Sequence, residues 1–201
     1  MSEARPRGRP RRYDPDRAMD AAVGAFLAAG FSGTSLDRLS EATGMNRPSL
    51  YGAFGDKEAL YLKALAHYAA RLDAALDAGM GADRPVAKAI EGYLNGAIDH
   101  YTADGDAAKG CLVVCTATAE AAATPAIREA LAAVLARIDR ALEARLRSAR
   151  DSGELPAATD PAALAALIGA VQHSLAVRAR AGTSRRQLRR IARDAVGLLL
   201  R

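Results

Sequence analysis

Two short helices with a turn between them are encoded in TSLDRLSEATGMNRPSLYGAF, residues 34–54. Thr34 is followed three residues later by Asp37, a capping-box spacing that predicts a helix over about residues 35–43. A glycine ends this helix, and Asn46 is placed to cap the next one, which runs to the end of the segment with its proline in the first turn. A short helix, a glycine-containing turn and a second short helix are the pattern of a helix-turn-helix unit.

The flanking sequence extends this unit on both sides. Asp14, Pro15 and Asp16 are the residue types of a cap, a first helical position and an acidic first turn, and they predict a helix up to about Ala29. Asp56 is expected to cap a longer fourth helix that carries leucines at helical spacing. The first eighty residues therefore predict three short helices followed by a long one.

The remaining sequence also predicts helices with clear breaks between them. Thr124 is expected to cap one of these helices, and Ser184, with Gln187 three residues on, another. Apolar residues at helical spacing define five segments, about 85–101, 111–122, 124–150, 161–182 and 184 to the end. The chain is therefore predicted to be all-α, with about nine helices.

The composition agrees with a helical protein and leaves its partners open. Among 201 residues there are 49 Ala, and aromatic residues make up 4% with no Trp, a profile that argues against a β-sandwich or barrel. The net charge is +5, and 24 of the 28 basic residues are Arg. Arg suits bidentate contacts to phosphate and base edges, but a chain rich in Arg and Ala also arises from codon bias. Composition alone permits nucleic-acid binding without establishing it.

The cysteines and the chain's hydropathy favour a cytoplasmic protein. Cys111 and Cys115 are too few and too close for a secreted disulfide framework. No apolar run approaches the roughly 18 residues that span a bilayer, and the basic N-terminal segment leads into acidic residues instead of an apolar stretch. We expect no cofactor and no metal, because the three His and two Cys show no metal-ligand spacing.

Residues 8–65 carry a more specific signal than the helix pattern alone. The motifs are Gly30-Phe31-x-x-Thr34-Ser35 before the second helix, Ser49-Leu50-Tyr51-x-x-Phe54 in the third, and Asp56-Lys57-Glu58-x-Leu60 at the start of the fourth. With them, the segment closely resembles the DNA-binding domain of the TetR family of bacterial transcriptional regulators. The resemblance implies a DNA-binding domain over residues 1–55 and a helical effector-binding and dimerisation domain over residues 56–201.

The resemblance places the third helix in the major groove of DNA. Arg47 is expected to bond O6 and N7 of a guanine, and Ser49 and Tyr51 to contact phosphate or a thymine methyl group. Thr34, Ser35 and Lys57 resemble phosphate contacts of the family, whereas Leu50 and Phe54 are expected in the core. The expected DNA contacts are Thr34, Ser35, Arg47, Pro48, Ser49, Tyr51, Gly52, Lys57, Arg7 and Arg9.

Two further basic segments need separate interpretation. The first twelve residues carry five Arg with no apolar face, so they predict a flexible arm that either enters a minor groove or adds only nonspecific attraction. Seven more Arg follow late in the chain, where the family builds its dimer interface, and we interpret them as rim or intersubunit ion pairs in preference to DNA contacts. These are Arg178, Arg180, Arg185, Arg186, Arg189, Arg190 and Arg193.

The resemblance also implies a ligand cavity within helices 4 to 8, whose occupation changes the spacing of the two DNA-binding domains in a homodimer. Residues with polar tips on apolar faces are the candidates for its lining, although core or surface placement is the alternative for each. They are Tyr68, Tyr93, His100, Tyr101, Cys115, Thr116, Thr118, Gln172 and His173. The many Ala residues are compatible either with tight helix packing or with an open cavity.

Two alternatives remain open at this stage. Cys111 follows Lys109-Gly110 at an expected helix N-terminus, where thiolate would be favoured, so a redox- or electrophile-sensing repressor is one hypothesis; a small buried hydrophobe is the other interpretation of this cysteine. An enzyme is the second alternative, against which stands the lack of a nucleophile elbow or a glycine-rich phosphate loop. The main hypothesis is a repressor that binds a palindromic operator and is released by a small molecule.

Overall fold

The computed structural model describes residues 14–81, 84–102 and 110–200, and in these ranges the chain is helical without any strand. A π-helical turn, Val113–Ala117, leads directly into the short helix α6. The α-helices are α1 Pro15–Ala29, α2 Leu36–Thr43, α3 Arg47–Phe54, α4 Lys57–Gly79, α5 Val86–Tyr101, α6 Thr118–Glu120, α7 Pro125–Asp151, α8 Pro161–Arg180 and α9 Arg185–Leu199. The predicted all-α class is confirmed.

Most helix starts are fixed by the capping residues that the sequence indicates. Asp14, Asn46, Asp56 and Asp160 each accept a hydrogen bond from backbone N–H groups in the first turn. Ser184 and Gln187 form the reciprocal bonds of a capping box at the start of α9. Each such cap contributes on the order of 1 kcal/mol, because it satisfies donors that a helix end leaves free.

Three local predictions are corrected by the structure. The cap of α2 is Ser35 and not Thr34, since the Ser35 hydroxyl accepts from the N–H of Arg38. Thr124 precedes α7 without a side-chain capping bond. The segment expected to be a helix over 111–122 includes a π turn, in which the Thr116 hydroxyl donates to the Leu112 carbonyl at 2.7 Å. Such back-bonding competes with regular α-helical pairing.

A continuous core joins the N-terminal helices to the rest of the chain. Phe26 of α1 meets the ring of Tyr61 on α4 edge to face, with 4.9 Å between ring centroids. The Tyr61 hydroxyl lies 2.8 Å from that of Thr116 on the π turn. Burial raises the pKa of Tyr61 to about 12, so this phenol is neutral and available as a hydrogen-bond donor. Helix α4 therefore packs on α1 on one side and on the C-terminal helices on the other.

Helix α8 is the one helix of the described ranges that is long and apolar enough to cross a membrane by length and composition. It packs against α5, α7 and α9, and Leu164, Ile168 and Leu175 along it are buried. These contacts make it a core helix of the folded chain. Two hydrophobic side chains on its other side, Leu167 and Val177, remain exposed.

Candidate nucleic-acid interface and internal cavity

Helix α3 has one buried and one exposed face. Leu50 and Phe54 are buried, as predicted, and fix the helix to the rest of the N-terminal unit. The opposite face presents polar and aromatic groups to solvent, with Tyr51 47% exposed despite its large ring. A single exposed ring is common on protein surfaces, but this one shares its helix face with the exposed Arg47 and Ser49, so the face offers charged, polar and aromatic groups to a partner. The exposed residues are Arg47, Pro48, Ser49, Tyr51 and Gly52.

Arg47 at the start of α3 is held by an acidic residue of α2. Its Nε and Nη2 atoms lie 2.9 and 2.5 Å from one carboxylate oxygen of Asp37, which raises the pKa of the guanidinium further. Both side chains are more than half exposed, so water screens the pair and its contribution to stability is small. The guanidinium is therefore ordered yet can exchange this carboxylate for an acceptor on DNA.

Thr34 does not face solvent, contrary to the expected phosphate contact. Its hydroxyl is fully buried and lies 2.5 Å from the Gly30 carbonyl and 3.3 Å from that of Ala25. One hydroxyl donates one proton, so its main acceptor is the Gly30 carbonyl at the end of α1, where the helix leaves carbonyls free, and the longer contact to Ala25 is a shared one. Ser35, next in sequence, is exposed at the start of α2.

We expect Thr34→Val to lower the free energy of unfolding by about 1–3 kcal/mol, because buried carbonyls lose their donor while the side-chain volume is kept. Urea denaturation followed by circular dichroism measures this change. Ser35→Ala is the matched control at the neighbouring exposed position, with an expected loss of about 1 kcal/mol from the missing cap. Unchanged stability of Thr34→Val would contradict the structural role of this hydroxyl.

Three expected DNA contacts remain, namely Lys57, Arg7 and Arg9. Lys57 at the start of α4 is partly buried, with its ammonium 4.5 Å from the centroid of the Phe31 ring. This cation–π contact keeps the Lys57 ammonium close to the first turn of α4. Arg7 and Arg9 lie outside the described residues.

The C-terminal arginines bond within the chain. Arg189 donates to Asp99 on α5 at 2.7 Å, and Arg185 donates to the hydroxyl and carbonyl of Thr102. Arg180 donates to the Leu27 carbonyl of α1 at 2.8 Å. Several of these arginines therefore connect α8 and α9 to other parts of the same chain, and Arg185 and Arg189 do so through Asp99, an acidic partner of the kind expected. Pairing across a dimer interface stays a prediction.

A partly open cavity of about 340 Å³ lies among α4, α5, α7 and α8. Its walls are mainly apolar, and most of its polar groups come from α5 and α8. The described lining residues are Arg71, Leu72, Leu76, Gly92, Tyr93, Gly96, Ala97, His100, Ile138 and Gln172. Mainly apolar walls with a few placed polar groups are the ordinary composition of a small-molecule site.

Only some of the predicted lining residues meet at this cavity. Tyr93, His100 and Gln172 line it, whereas Tyr68 and Tyr101 are buried behind it in contact with the His100 ring. Arg71, Gly92 and Gly96 were missed, because an arginine and two glycines on helices carry no sequence signal of facing a cavity.

The other candidates lie elsewhere. Cys115 borders a separate, more open cavity with Val177 and Arg180, and Thr116 is buried at the hydroxyl of Tyr61. Thr118 is exposed. His173 is half-buried, and desolvation lowers its pKa, partly offset by the charge of Asp139. None of these four lines the cavity among α4, α5, α7 and α8.

The thiol of Cys111 is buried, and this burial raises its pKa. The N–H groups of Val114 and Val113 favour the thiolate, but desolvation outweighs them. Burial therefore disfavours the thiolate expected at this helix start and favours the interpretation of Cys111 as a small buried hydrophobe. Both cysteines are free thiols.

Comparisons with known proteins agree on both halves of the chain. The family model described as bacterial regulatory proteins, tetR family, matches residues 18–64, and the model described as tetracyclin repressor-like, C-terminal domain, matches residues 87–195.

Individual relatives extend the similarity over most of the chain. The HTH-type transcriptional repressor ComR of Escherichia coli is 31% identical over 187 residues, covering 92% of this chain and 89% of ComR. The repressor BdcR of the same organism is 36% identical over 56% of each chain. The structure of the regulator CifR, as a cysteine mutant complexed with 26-bp double-strand operator DNA, is 32% identical, with a TM-score of 0.83 over 94% of this chain and 98% of that one.

Proposed function

This chain belongs to the TetR family of bacterial transcriptional regulators, and we propose that it is a repressor that binds a palindromic operator as a homodimer through α3. We further propose that a small molecule in the cavity among α4, α5, α7 and α8 releases the operator. The observation that carries the proposal is the exposed face of α3, where Arg47 and Tyr51 stand on a helix anchored by buried Leu50 and Phe54. The operator complex of CifR supports the same use of the fold.

The exposed hydrophobic residues support association through α8 and α9. Leu167 and Val177 on α8 and Leu198 on α9 are each more than half exposed, whereas Leu164, Leu175, Leu188 and Val196 of the same helices are buried. Burial against a second copy removes these side chains from water and gives a two-fold dimer with two copies of α3. Such a dimer matches the symmetry of a palindromic operator.

The two proposed functions lie in consecutive parts of the chain. We propose residues 1–55 as the DNA-binding part and residues 56–201 as the effector-binding and dimerisation part, in a cytoplasmic protein. The cavity lies wholly in the second part, while α4 begins beside α3 and ends beside the cavity. Ligand-dependent movement of α4 would therefore change the position of α3, provided that the ligand binds the two arrangements with different affinity.

A sensor based on Cys111 receives less support than a ligand-binding repressor. The buried thiol with its raised pKa is a poor nucleophile, because the reactive form is the thiolate. Operator release by oxidant that is unchanged in Cys111→Ser would exclude this cysteine as the sensor.

We expect Arg47→Ala to weaken operator binding by about 1–3 kcal/mol and to relax selectivity at one base position, because a bidentate guanine contact is lost. Footprinting on genomic DNA identifies the operator, and fluorescence anisotropy then measures the affinity at a stated salt concentration. Arg128→Ala on α7 removes an equally exposed charge away from α3 and is the control. Full affinity of Arg47→Ala, together with lost binding after substitution of Arg186 or Arg193, would contradict the assignment of α3.

A further inference from the structure

Arg71 connects the cavity to the DNA-binding part of the chain. It lines the cavity from α4, and its Nη1 donates to a carboxylate oxygen of Asp20 on α1 at 2.7 Å. His67, one turn earlier on α4, places its Nε2 2.9 Å from the same oxygen. The Arg71 guanidinium therefore contacts Asp20 of α1 and also lies where a ligand in the cavity would contact it.

The described lining of the cavity carries a positive charge and no acidic residue to balance it. Among the described residues of its lining, Arg71 is the one permanently charged group, and none is acidic. Asp139, which acts electrostatically on Tyr93 and His173 from α7, is exposed and is not part of the lining. An anionic group entering beside Arg71 would thus meet a cation without meeting a carboxylate of the cavity wall.

Two buried polar atoms at the cavity have no hydrogen-bond partner in the described structure. They are the hydroxyl of Tyr93 and Oε1 of Gln172, a residue that is only 2% exposed. The Gln172 amide is oriented because its Nε2 donates to the Tyr101 hydroxyl at 2.9 Å. Unsatisfied buried polar atoms are costly, and both of these atoms are shielded from water beside the cavity. A small rotation of either side chain would let a bound polar group complete it.

We propose that the effector is a small organic anion, a carboxylate on a mainly apolar and aromatic body, whose charge withdraws Arg71 from Asp20. This inference rests on the proposed ligand-released repressor and specifies its ligand class. The apolar body lies against Leu72, Leu76 and Ile138, and a polar substituent reaches Tyr93 and Gln172. The cavity volume suits a ligand at the small end of the usual range.

Replacement of Asp20 by the ligand carboxylate on Arg71 also couples ligand binding to operator binding. In the ligand-free chain the Arg71–Asp20 and His67–Asp20 contacts join α1 to α4. The side chains of Arg71 and Asp20 are 59% and 51% exposed, so water screens this pair and an anion can displace it at low cost. A carboxylate that binds Arg71 competes with Asp20, so it binds more tightly to arrangements in which α1 has moved from α4. Because coupling is reciprocal, operator-bound protein would bind the anion less tightly than free protein.

Binding of naphthoate and of the neutral, isosteric naphthamide to the full-length protein without DNA tests the ligand class. The chain has no Trp, so naphthalene fluorescence excited at wavelengths longer than the absorption of the six Tyr is observed without protein emission. We expect naphthoate to bind about tenfold more tightly than naphthamide, since a charge-assisted bidentate contact is gained. Equal affinity for the two probes, a preference for the amide, or no binding of either would overturn the proposal.

Variants of the protein test separately how the charge and the shape of the site contribute to probe binding. Arg71→Gln is expected to remove the preference for naphthoate, and Asp20→Asn to strengthen naphthoate binding several-fold because Arg71 is no longer shared. A merely structural role of the Arg71–Asp20 bond would instead move both variants in the same direction. Gly96→Leu fills the cavity from a position where an added Cβ meets nothing within 4 Å, and should abolish binding of both probes. Arg147→Gln, which breaks an exposed ion pair with Glu143 on α7, is the control and should bind like wild type.

Operator binding by the ligand-free protein is measured in a separate experiment. Loss of operator binding by the ligand-free protein would reject the proposed function and leave the probe result standing. Intact operator binding combined with indifference to the charge of the probe would reject only the ligand class.

Discussion

Leu198→Glu is expected to convert the protein into monomers and to lower its affinity for a full palindromic operator by about 100-fold or more. Leu198 is the most exposed large hydrophobic residue of the described chain, at 68%, and it lies on α9 in the half of the protein that also exposes Leu167 and Val177 on α8. A carboxylate placed in an apolar subunit interface would lose its hydration without gaining a partner. The two copies of α3 would then bind separately, without the gain of about 10²–10⁴ that linkage gives.

Sedimentation velocity measures the oligomeric state of this variant, and anisotropy measures its binding to the full operator and to a half-site. Ser148→Glu adds the same charge at an exposed position of α7 and should remain dimeric. Affinity for the half-site should be similar in all three proteins, because α3 is untouched. A Leu198→Glu protein that remains dimeric and binds the full operator like wild type would show that the dimer forms through another surface.

Phe26→Ala is expected to lower the free energy of unfolding by about 3–5 kcal/mol. Phe26 is fully buried between α1 and α4, and its ring meets that of Tyr61 edge to face. The substitution removes the apolar contact that joins the DNA-binding helices to α4 and leaves a cavity beside Tyr61. Denaturation in urea, followed by helical circular dichroism, measures the loss.

Tyr51→Ala provides the matched comparison, since it also truncates an aromatic residue of the N-terminal unit. Tyr51 is exposed, so its removal should change stability by no more than about 0.5 kcal/mol while weakening operator binding. The opposite result, a stable Phe26→Ala protein and an unfolded Tyr51→Ala protein, would mean that α1 and α3 are oriented differently from the structure described.

Several polar contacts join the DNA-binding helices to the rest of the chain. Ser32, just after α1, donates from its hydroxyl to Glu120 at 2.9 Å, and Arg180 of α8 donates to the Leu27 carbonyl. The Arg71–Asp20 contact adds a third connection, between α4 and α1. The Ser32–Glu120 and Arg71–Asp20 contacts are exposed, so they can be exchanged at low cost, as a movement between two arrangements requires.

Much of the fold was predictable because helix starts and stops are local events. A cap such as Asn46 or Asp56 bonds to N–H groups two or three residues away, so the sequence around it contains the whole interaction. The same holds for Gly44, whose left-handed backbone conformation ends α2. The core positions Leu50 and Phe54 followed from their apolar character on a short helix.

The errors arose where a residue's role depends on distant parts of the chain. Thr34 has the sequence context of an exposed capping residue, yet the close approach of α1 and α2 buries it. Cys111 stands at a helix start that favours thiolate, but burial against other helices reverses the balance. Neither effect is visible in neighbouring residues, because desolvation depends on what packs from elsewhere.

The sequence by itself determined the all-α class, the helix-turn-helix with Arg47 on its third helix, and the family. These follow from periodicity, capping and short motifs, which act within a few residues. Only the tertiary structure decided which polar side chains share the cavity, that Arg71 lies between this cavity and Asp20 of α1, and that the C-terminal arginines bond within their own chain. Such juxtapositions bring together residues that are distant in the sequence, such as Arg71 and Asp20 or Arg189 and Asp99, and the packing of whole helices sets them.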